Sequence, residues 1–225
     1  MSSQESQEQK ENKEGQKETE KSRSFWVLFF VLLIILLLIL WIFPSYRIKV
    51  DPNPVKIPTI EELDLEIPNS TGLNASQRGF LQLLLPADSF IKNTANKISV
   101  IACPNVEKQI KVCYAKALFY FVRDNVQYVN DPFAREYLAS PAETLASKAG
   151  DCDDHSILLA NLLEAIGLET RYVFTNNHVF VQVKLEEALK GYKTDDDWVS
   201  LDATCKDCRF GELPWQVQKS RKNYL

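Results

Sequence analysis

One run of apolar residues constrains this chain more than any other feature. Phe25 to Phe43 reads FWVLFFVLLIILLLILWIF, without a single charge. As a helix the run would extend roughly 28 Å, close to the ~30 Å hydrocarbon core of a bilayer. Trp26 and Trp41 lie near its two ends, where amphipathic rings prefer the membrane interface. The sequence therefore predicts a single-pass transmembrane helix over 25–43.

The alternative to an anchor is a cleaved signal peptide. Its apolar region is usually ~7–15 residues long and is followed by small residues at the cleavage site. Here the run is longer and Pro44-Ser-Tyr-Arg47 follows it, so we expect an uncleaved signal anchor. Basic residues are nearly balanced on its two sides, and the positive-inside rule decides little. A single N-terminal anchor predicts cell-membrane localisation with the following domain outside the cytoplasm.

The flanking segments have biased compositions. Residues 1–24 contain six Glu and five Lys or Arg but no aromatic residue, Leu, Ile or Val, which predicts a disordered cytosolic tail. Residues 44–73 contain five prolines, which predicts an extended stalk. Residues 74–225 remain for one folded domain with one core. The net charge of −4 argues against a nucleic-acid partner.

Periodicity within the folded domain predicts helices first and strands afterwards. Apolar residues recur at helical spacing from Val106 to Gln127 and from Cys152 to Ile166, and shorter helices are expected over 75–85 and 141–146. The strand candidates, rich in β-branched and aromatic residues, are Thr170–Thr175, His178–Leu185 and Trp198–Ala203. This order predicts an α+β fold in which helices pack on an antiparallel sheet.

Cys152 has the best position for chemistry. It opens a predicted helix within the sequence GDCDDH, at the end where the free backbone N–H groups and the helix dipole favour a thiolate. Gly150 would allow a substrate backbone to approach closely. The carboxylates of Asp151, Asp153 and Asp154 oppose thiolate formation, and a protonated histidine would offset them.

His178 and Asp202 are the predicted partners of Cys152. His178 begins one predicted strand, and Asp202 lies near the end of the next. If these strands pair antiparallel, both side chains reach one edge of the sheet, against which the Cys152 helix packs. The imidazole would then take the thiol proton and the carboxylate would orient the ring. His155 is an alternative partner, although a supporting or solvent-facing role is expected for it.

The sequence around these residues resembles that of the transglutaminase-like superfamily. The resemblance covers roughly residues 114–204. It is carried by the sequences PAETL from Pro141, GDCDDHSILL from Gly150, AIGLETRYV from Ala165, HVFVQV from His178 and LDAT from Leu201. The resemblance implies a papain-like fold with Cys152 as nucleophile, His178 as base and Asp202 as orienting carboxylate. One departure is Phe180, where the family commonly has Trp. The resemblance also implies an oxyanion site, to which the Cys152 N–H and either Gln127 or Tyr128 are candidate contributors.

Acyl transfer through a thioester is the activity that the resemblance implies. Hydrolysis of an amide or peptide bond in a protein or peptide substrate is favoured over amine cross-linking, and no cofactor is expected. Two alternatives stay open. One is a non-catalytic binding or scaffold module with the same fold, and the other is a structural domain held together by zinc.

The remaining cysteines make Cys152 the odd one of five. Cys103, Cys113, Cys205 and Cys208 form an even set, which in an oxidising compartment predicts disulfides, paired 103–113 and 205–208 or crossed. A zinc site built from these four cysteines is a less favoured alternative, because C-x2-C is a metal-ligand spacing. Reduced thiols are a further alternative, as is a zinc site joining Cys152 and His155 to the C-x2-C pair.

Overall fold

The computed structural model describes residues 25–41, 50–74, 76–132 and 137–225. The predicted tail over 1–24 lies outside the described residues. The predicted membrane segment 25–43 is described over 25–41, where it forms helix α1 with exposed side chains. In these four stretches of chain, no helix combines the length and the apolar character needed to cross a membrane.

The residues from Lys49 to Leu225 form one compact unit. Its helices are α2 (Gln77–Gln82), α3 (Ser89–Ala102), α4 (Ile110–Asn125), α5 (Pro141–Ser147), α6 (Cys152–Ala165) and α7 (Trp215–Lys219). Its strands are β1 (Leu73–Asn74), β2 (Gln127–Tyr128), β3 (Tyr137–Leu138), β4 (Ala149–Gly150), β5 (Thr170–Phe174), β6 (Val179–Lys184), β7 (Trp198–Leu201) and β8 (Asn223–Tyr224). Short 3-10 turns occur at Glu61–Leu63 and Lys190–Tyr192.

The main sheet has the strand order β7-β6-β5-β8, and each neighbouring pair is antiparallel. Two small sheets lie elsewhere: β1 pairs with β3 antiparallel, and β2 pairs with β4 in parallel. The predicted combination of helices and an antiparallel sheet is therefore confirmed. The C-terminal strand β8, which the sequence did not predict, closes the sheet beside β5.

Helix α6 is the centre of the core. Every residue from Asp154 to Leu163 is buried, which is typical of a helix surrounded by other elements rather than lying on a surface. Helices α3, α4 and α5 pack against it, and β5 and β6 of the main sheet cover the remaining face. The position of the Cys152 helix against the sheet is thus the predicted one.

Strand β6 is buried on both faces, although its alternating pattern predicted only one buried face. Val179, Val181 and Val183 belong to the main core. Phe180 faces the other way and packs in a second apolar cluster with Val173 and Leu213. The second cluster exists because the C-terminal part of the chain covers the outer face of the sheet.

The predicted stalk over 44–73 needs correction. Residues 44–49 lie outside the described residues, but the rest of this stretch is part of the compact unit. Ile60 and Leu63 are buried in the main core, and the Ile60 N–H donates to Asn125 Oδ1 at 3.1 Å. The prolines keep the backbone extended, but the apolar residues between them find partners on the helices.

Helix α4 is shorter than the predicted range of 106–127. Gln109 precedes it with a φ of 54°, a left-handed conformation that cannot continue an α-helix. The helix therefore begins at Ile110. It ends at Asn125, after which the chain becomes extended and enters β2.

Candidate active site

Cys152 lies at the first position of α6. The preceding Asp151 caps the helix, because its carboxylate accepts from the N–H groups of Asp153 (2.9 Å) and Asp154 (3.4 Å). Asp154 reciprocates by accepting from the Asp151 N–H at 3.2 Å. This capping box fixes the turn that carries the half-buried thiol.

Gly150 owes its place to packing against Asp154. A Cβ at position 150 would lie 2.6 Å from the Cβ of Asp154 and 2.7 Å from its Oδ2. The Asp154 side chain also accepts from the Ala139 N–H at 2.7 Å, so it ties α6 to the chain that precedes α5. Packing against Asp154 therefore accounts for the glycine at position 150, whereas the sequence had suggested only the close approach of a substrate.

His178 and Asp202 meet as predicted. His178 immediately precedes β6 and Asp202 immediately follows β7, and the pairing of Val181 with Leu201 brings these strand ends side by side. The His178 Nε2 lies 2.8 Å from Asp202 Oδ2. The side chain of His178 is 19% exposed and that of Asp202 only 1%. The contact with Nε2 leaves Nδ1 as the ring nitrogen that can act on a thiol.

Asp202 is held at its second oxygen as well. Its Oδ1 accepts from Thr204 twice, from the hydroxyl at 2.7 Å and from the N–H at 3.2 Å. Burial alone would raise the pKa of the Asp202 carboxyl, but the hydrogen bonds from His178 and Thr204 outweigh it and lower the pKa below its usual value. The carboxylate is therefore ionised and oriented toward His178.

The Cys152 thiol reaches the histidine end of β6. A hydrogen bond from the backbone N–H of Val179, the residue after His178, favours its thiolate. Burial and the charge of Asp153 act more strongly in the opposite direction and raise the pKa of the thiol to about 12. The position at the helix terminus is thus confirmed, but the expected depressed pKa is not found, because burial and the carboxylates dominate. The resting group is a neutral thiol.

His155 is buried, with 1% of its surface exposed. Its Nδ1 lies 2.7 Å from the carbonyl oxygen of Asp151, and its Nε2 lies 3.3 Å from that of Val126. Burial lowers the pKa of this imidazole, so the neutral ring donates its one proton to a carbonyl. His155 therefore supports the backbone beside the thiol.

The structure also locates Gln127 and Tyr128, which the sequence left unassigned. They form β2, which pairs in parallel with β4 directly before Asp151 and Cys152. Burial raises the pKa of the Tyr128 phenol, and the nearby Cys152 sulfur raises it further.

A cavity of about 530 Å³ opens beside His178 and Asp202. The C-terminal part of the chain, for which the sequence suggested no role, forms its far wall. The lining residues are Thr175, Asn176, Asn177, His178, Asp202, Thr204, Cys205, Pro214, Gln216, Val217 and Ser220. Apart from His178 and Asp202 the lining carries no ionisable side chain, so it offers a neutral, polar surface next to the histidine.

The cysteines pair as Cys103–Cys113 and Cys205–Cys208, and Cys152 is free. The four cysteines of the first zinc alternative are therefore all in disulfides. Of the cysteines in the second zinc alternative, Cys152 alone keeps a free thiol. Within the described part of the chain, one group could offer a metal three ligand atoms within 4.8 Å of one another: Asp151, Cys152 and Asp153. A metal there would occupy the thiol itself.

Comparison with known proteins finds a family match over part of the chain. Residues 103–203 match the model of the transglutaminase-like superfamily, and this stretch includes Cys152, His178 and Asp202. This part of the chain is therefore similar to that superfamily. No curated protein matches the sequence.

Among solved structures, similar chains include proteins from Cytophaga hutchinsonii and Legionella pneumophila. A proposed cysteine protease from Cytophaga hutchinsonii is 19% identical with a TM-score of 0.38, and the match covers 58% of this chain and 43% of that one. Calcium-bound LapG from Legionella pneumophila is 18% identical with a TM-score of 0.41, and the match covers 66% of this chain and 82% of LapG. The EGTA-treated form of LapG is 16% identical with a TM-score of 0.41, and the match covers 68% and 81%. The match thus spans less than half of the Cytophaga protein.

Proposed function

We propose that this chain is a cysteine hydrolase that cleaves an amide or peptide bond through a thioester on Cys152. The observation that carries the proposal is the 2.8 Å contact between His178 Nε2 and Asp202 Oδ2, at the end of the sheet against which the Cys152 helix packs. A nucleophile, a base and a group that orients the base are the parts that covalent acyl transfer requires.

The high pKa of Cys152 determines how the first step must proceed. At neutral pH the thiol keeps its proton, so His178 removes it as Sγ attacks the carbonyl carbon. Asp202 stabilises the resulting imidazolium and holds the ring orientation. The imidazolium then gives the proton to the leaving amine, the C–N bond breaks, and the acyl group stays on Cys152 as a thioester.

The second step uses the same histidine. His178 takes a proton from water, the hydroxide oxygen attacks the thioester carbon, and the carboxylic acid product leaves as the Cys152 thiol re-forms. The polar cavity beside His178 supports water as the acceptor, because its lining can hydrogen-bond solvent. An amine entering the same cavity would give cross-linking instead.

The oxyanion formed in both steps needs hydrogen-bond donors. Asp151 caps the N–H groups of Asp153 and Asp154, and the N–H of Cys152 is not among these capping bonds. We assign this N–H as one donor. We assign the second to β2, which pairs with β4 directly before Asp151 and Cys152. Loss of one such donor typically costs ~10²–10³ in turnover.

Membrane attachment and an external location are part of the same proposal. The apolar sequence over 25–43 supports the anchor. The two disulfides support a domain outside the cytoplasm, because disulfides persist in oxidising compartments. Carbonate extraction of membranes, followed by protease treatment of sealed cells, tests both: the chain should stay in the pellet and the domain should be digested from outside.

Digestion of a peptide mixture in H₂¹⁸O tests the reaction. Wild-type protein is expected to produce new carboxyl termini carrying one ¹⁸O, and Cys152→Ala is expected to produce none, as measured by mass spectrometry. Methylamine added at high concentration reports the other acceptor, because cross-linking chemistry would give methylamides in place of acids. Equal products from wild type and Cys152→Ala would refute the proposal.

The non-catalytic module is the second candidate, and the observation that favours it is that the Cys152 thiol donates to Asp153 Oδ1 at 3.5 Å. A binding module needs no reactive sulfur. It predicts that Cys152→Ala keeps every interaction of the wild type and that His178→Ala leaves the reactivity of Cys152 unchanged.

A further inference from the structure

The chain directly after Asp202 makes two consecutive turns. The Asp202 carbonyl accepts from the Cys205 N–H at 3.2 Å, and the Cys205 carbonyl accepts from the Cys208 N–H at 3.2 Å. The Cys205–Cys208 disulfide spans the second turn. We name residues 202–208 the Asp202 turn. Its disulfide begins at Cys205, three residues after Asp202, whose carboxylate contacts His178.

The Asp202 turn supplies two of the three hydrogen bonds to the carboxylate oxygens of Asp202. Thr204 donates to Oδ1 through both its hydroxyl and its N–H, while Oδ2 contacts His178. Thr204 is the residue immediately before Cys205. Any change in the backbone at Cys205 therefore moves the donors that fix Asp202.

The far half of the Asp202 turn is anchored to the end of α4. Arg123 Nη1 donates to the Cys208 carbonyl at 2.8 Å, and Lys206 Nζ donates to the Val126 carbonyl at 2.9 Å. Val126 directly precedes β2, the strand that pairs with β4, which ends two residues before Cys152. The disulfide thus joins the anchored half of the turn to the half that holds Asp202.

The two disulfides of the chain differ in access. Cys205 is half-buried and lines the cavity that contains His178, whereas Cys103 and Cys113 are 3% and 0% exposed in the main core. A reductant that enters the cavity reaches Cys205 first. Thiol–disulfide exchange depends on access of the attacking thiolate to a sulfur. We therefore expect the Cys205–Cys208 disulfide to be reduced more readily than the Cys103–Cys113 disulfide.

We propose that the Cys205–Cys208 disulfide is a redox-sensitive positioning element that holds Asp202 in place through Thr204, so that a dithiol reductant lowers the activity. The inference rests on the proposed function of Cys152, His178 and Asp202. In the reaction a dithiol thiolate attacks Cys205 Sγ and the Cys208 thiolate leaves. The second thiol of the reductant then releases Cys205. Two electrons and two protons pass to the chain, which gains two thiols, and the reductant becomes a disulfide.

The rate at which iodoacetamide alkylates Cys152 provides a test that needs no substrate. The full chain is labelled from pH 5 to 9, and labelling of the Cys152 peptide is followed by mass spectrometry. In the oxidised wild type, assistance by His178 should give the rate an inflection in this range that His178→Gln lacks. Absence of this inflection in oxidised wild type would refute the proposed function itself, not only its redox control.

Cys205→Ser/Cys208→Ser is the direct variant, with Cys103→Ser/Cys113→Ser as its matched control. The first should lower the alkylation rate of Cys152 at pH 7 by roughly 10- to 100-fold, because small misplacements of a catalytic group are costly. It should also weaken the inflection. The control should keep the inflection even if its melting temperature falls. Treatment of wild type with dithiothreitol, removed before labelling, should reproduce the first variant and should have no further effect on it.

Variants of Thr204 distinguish the positioning of Asp202 from a general loosening of the fold. Thr204→Val removes the hydroxyl donor and should weaken the inflection, and Thr204→Ser should restore it. If the inflection is present in wild type and unchanged in Cys205→Ser/Cys208→Ser, the redox proposal is overturned while the proposed function stands. The same conclusion follows if the Cys103→Ser/Cys113→Ser control loses the inflection equally.

Discussion

Opposing influences determine the pKa of the Cys152 thiol. The Val179 N–H favours the thiolate, while burial and the Asp153 carboxylate favour the thiol and prevail. In the proposed mechanism this balance leaves deprotonation to His178, whose ring contacts the buried Asp202. A site of this kind stays unreactive until its histidine is correctly placed.

Asp154 predicts a pH dependence of stability. Burial raises the pKa of its carboxyl from 3.8 to about 7, and the charge of Asp151 adds to the rise. Between these values the folded state holds a proton that the unfolded state has released. The stabilisation is therefore complete below pH 3.8 and is lost as the pH rises to about 7, with an upper bound of roughly 4 kcal/mol.

Urea unfolding of wild type and Asp154→Asn at pH 4, 5.5, 7 and 8 measures this effect. The stability advantage of the wild type should shrink as the pH rises, because the amide does not titrate. Asp195→Asn, at an exposed position, should follow the wild type throughout. Parallel curves for wild type and Asp154→Asn would show that the buried carboxyl does not titrate in this window.

The residues of the proposed triad could be chosen from the sequence because each lies at the end of a predictable element. Cys152 follows a helix cap, His178 precedes a strand and Asp202 follows one. Thr204 and the tie between Asp154 and Ala139 were not predictable in the same way. Their roles depend on contacts across turns and between separate elements, which periodicity does not encode.

At the scale of elements, the start of α6 depends on the close approach of Gly150 to Asp154. Gly150→Ala places a methyl group 2.6 Å from the Asp154 Cβ, and the overpacking should cost about 1–3 kcal/mol. It should also displace Cys152 and slow its alkylation. Gly191→Ala is the matched control, since a Cβ there meets nothing within 4 Å.

Thermal unfolding and the alkylation rate of Cys152 measure both effects in one preparation. The expected result is a lower melting temperature and slower alkylation for Gly150→Ala, with neither change for Gly191→Ala. Unchanged values for Gly150→Ala would mean that α6 can shift without consequence and that its start is not held as described.

Helix α3 shows what the sequence analysis missed. Ile91, Ala95, Ile98 and Ala102 recur at helical spacing and are buried, and Asp88 caps the helix by accepting from two backbone N–H groups. The spacing and the cap were the available signals. They were obscured by residues of low helix propensity such as Thr94 and the asparagines of the same segment.

At the scale of the whole molecule, the segment before α2 is held by a buried charge. Lys116 is 1% exposed, and its Nζ lies 2.6 Å from Asp51 Oδ1 and 2.8 Å from Asn53 Oδ1. Tyr192 donates to Asp51 Oδ2 at 2.7 Å. The sequence could not predict these contacts, because Lys116 and Tyr192 lie 65 and 141 residues from Asp51 along the chain.

Asp51→Asn should destabilise the compact unit by about 3 kcal/mol, because it leaves the Lys116 ammonium buried without its counter-charge. Adding Lys116→Met should recover much of that loss, since the double variant buries no charge. Melting temperatures of wild type, single and double variants give the comparison. A single variant as stable as the wild type would show that the segment contributes nothing to the fold through this pair.

The most direct test of the account compares the two histidines of the chain. Iodoacetamide alkylation of Cys152 is measured from pH 5 to 9 in wild type, His178→Gln and His155→Gln. The wild type and His155→Gln should show an inflection that His178→Gln lacks, and at pH 7 His178→Gln should react at least ~10²-fold more slowly than the wild type. Equal rates in wild type and folded His178→Gln would contradict the assignment of His178 as the base for Cys152.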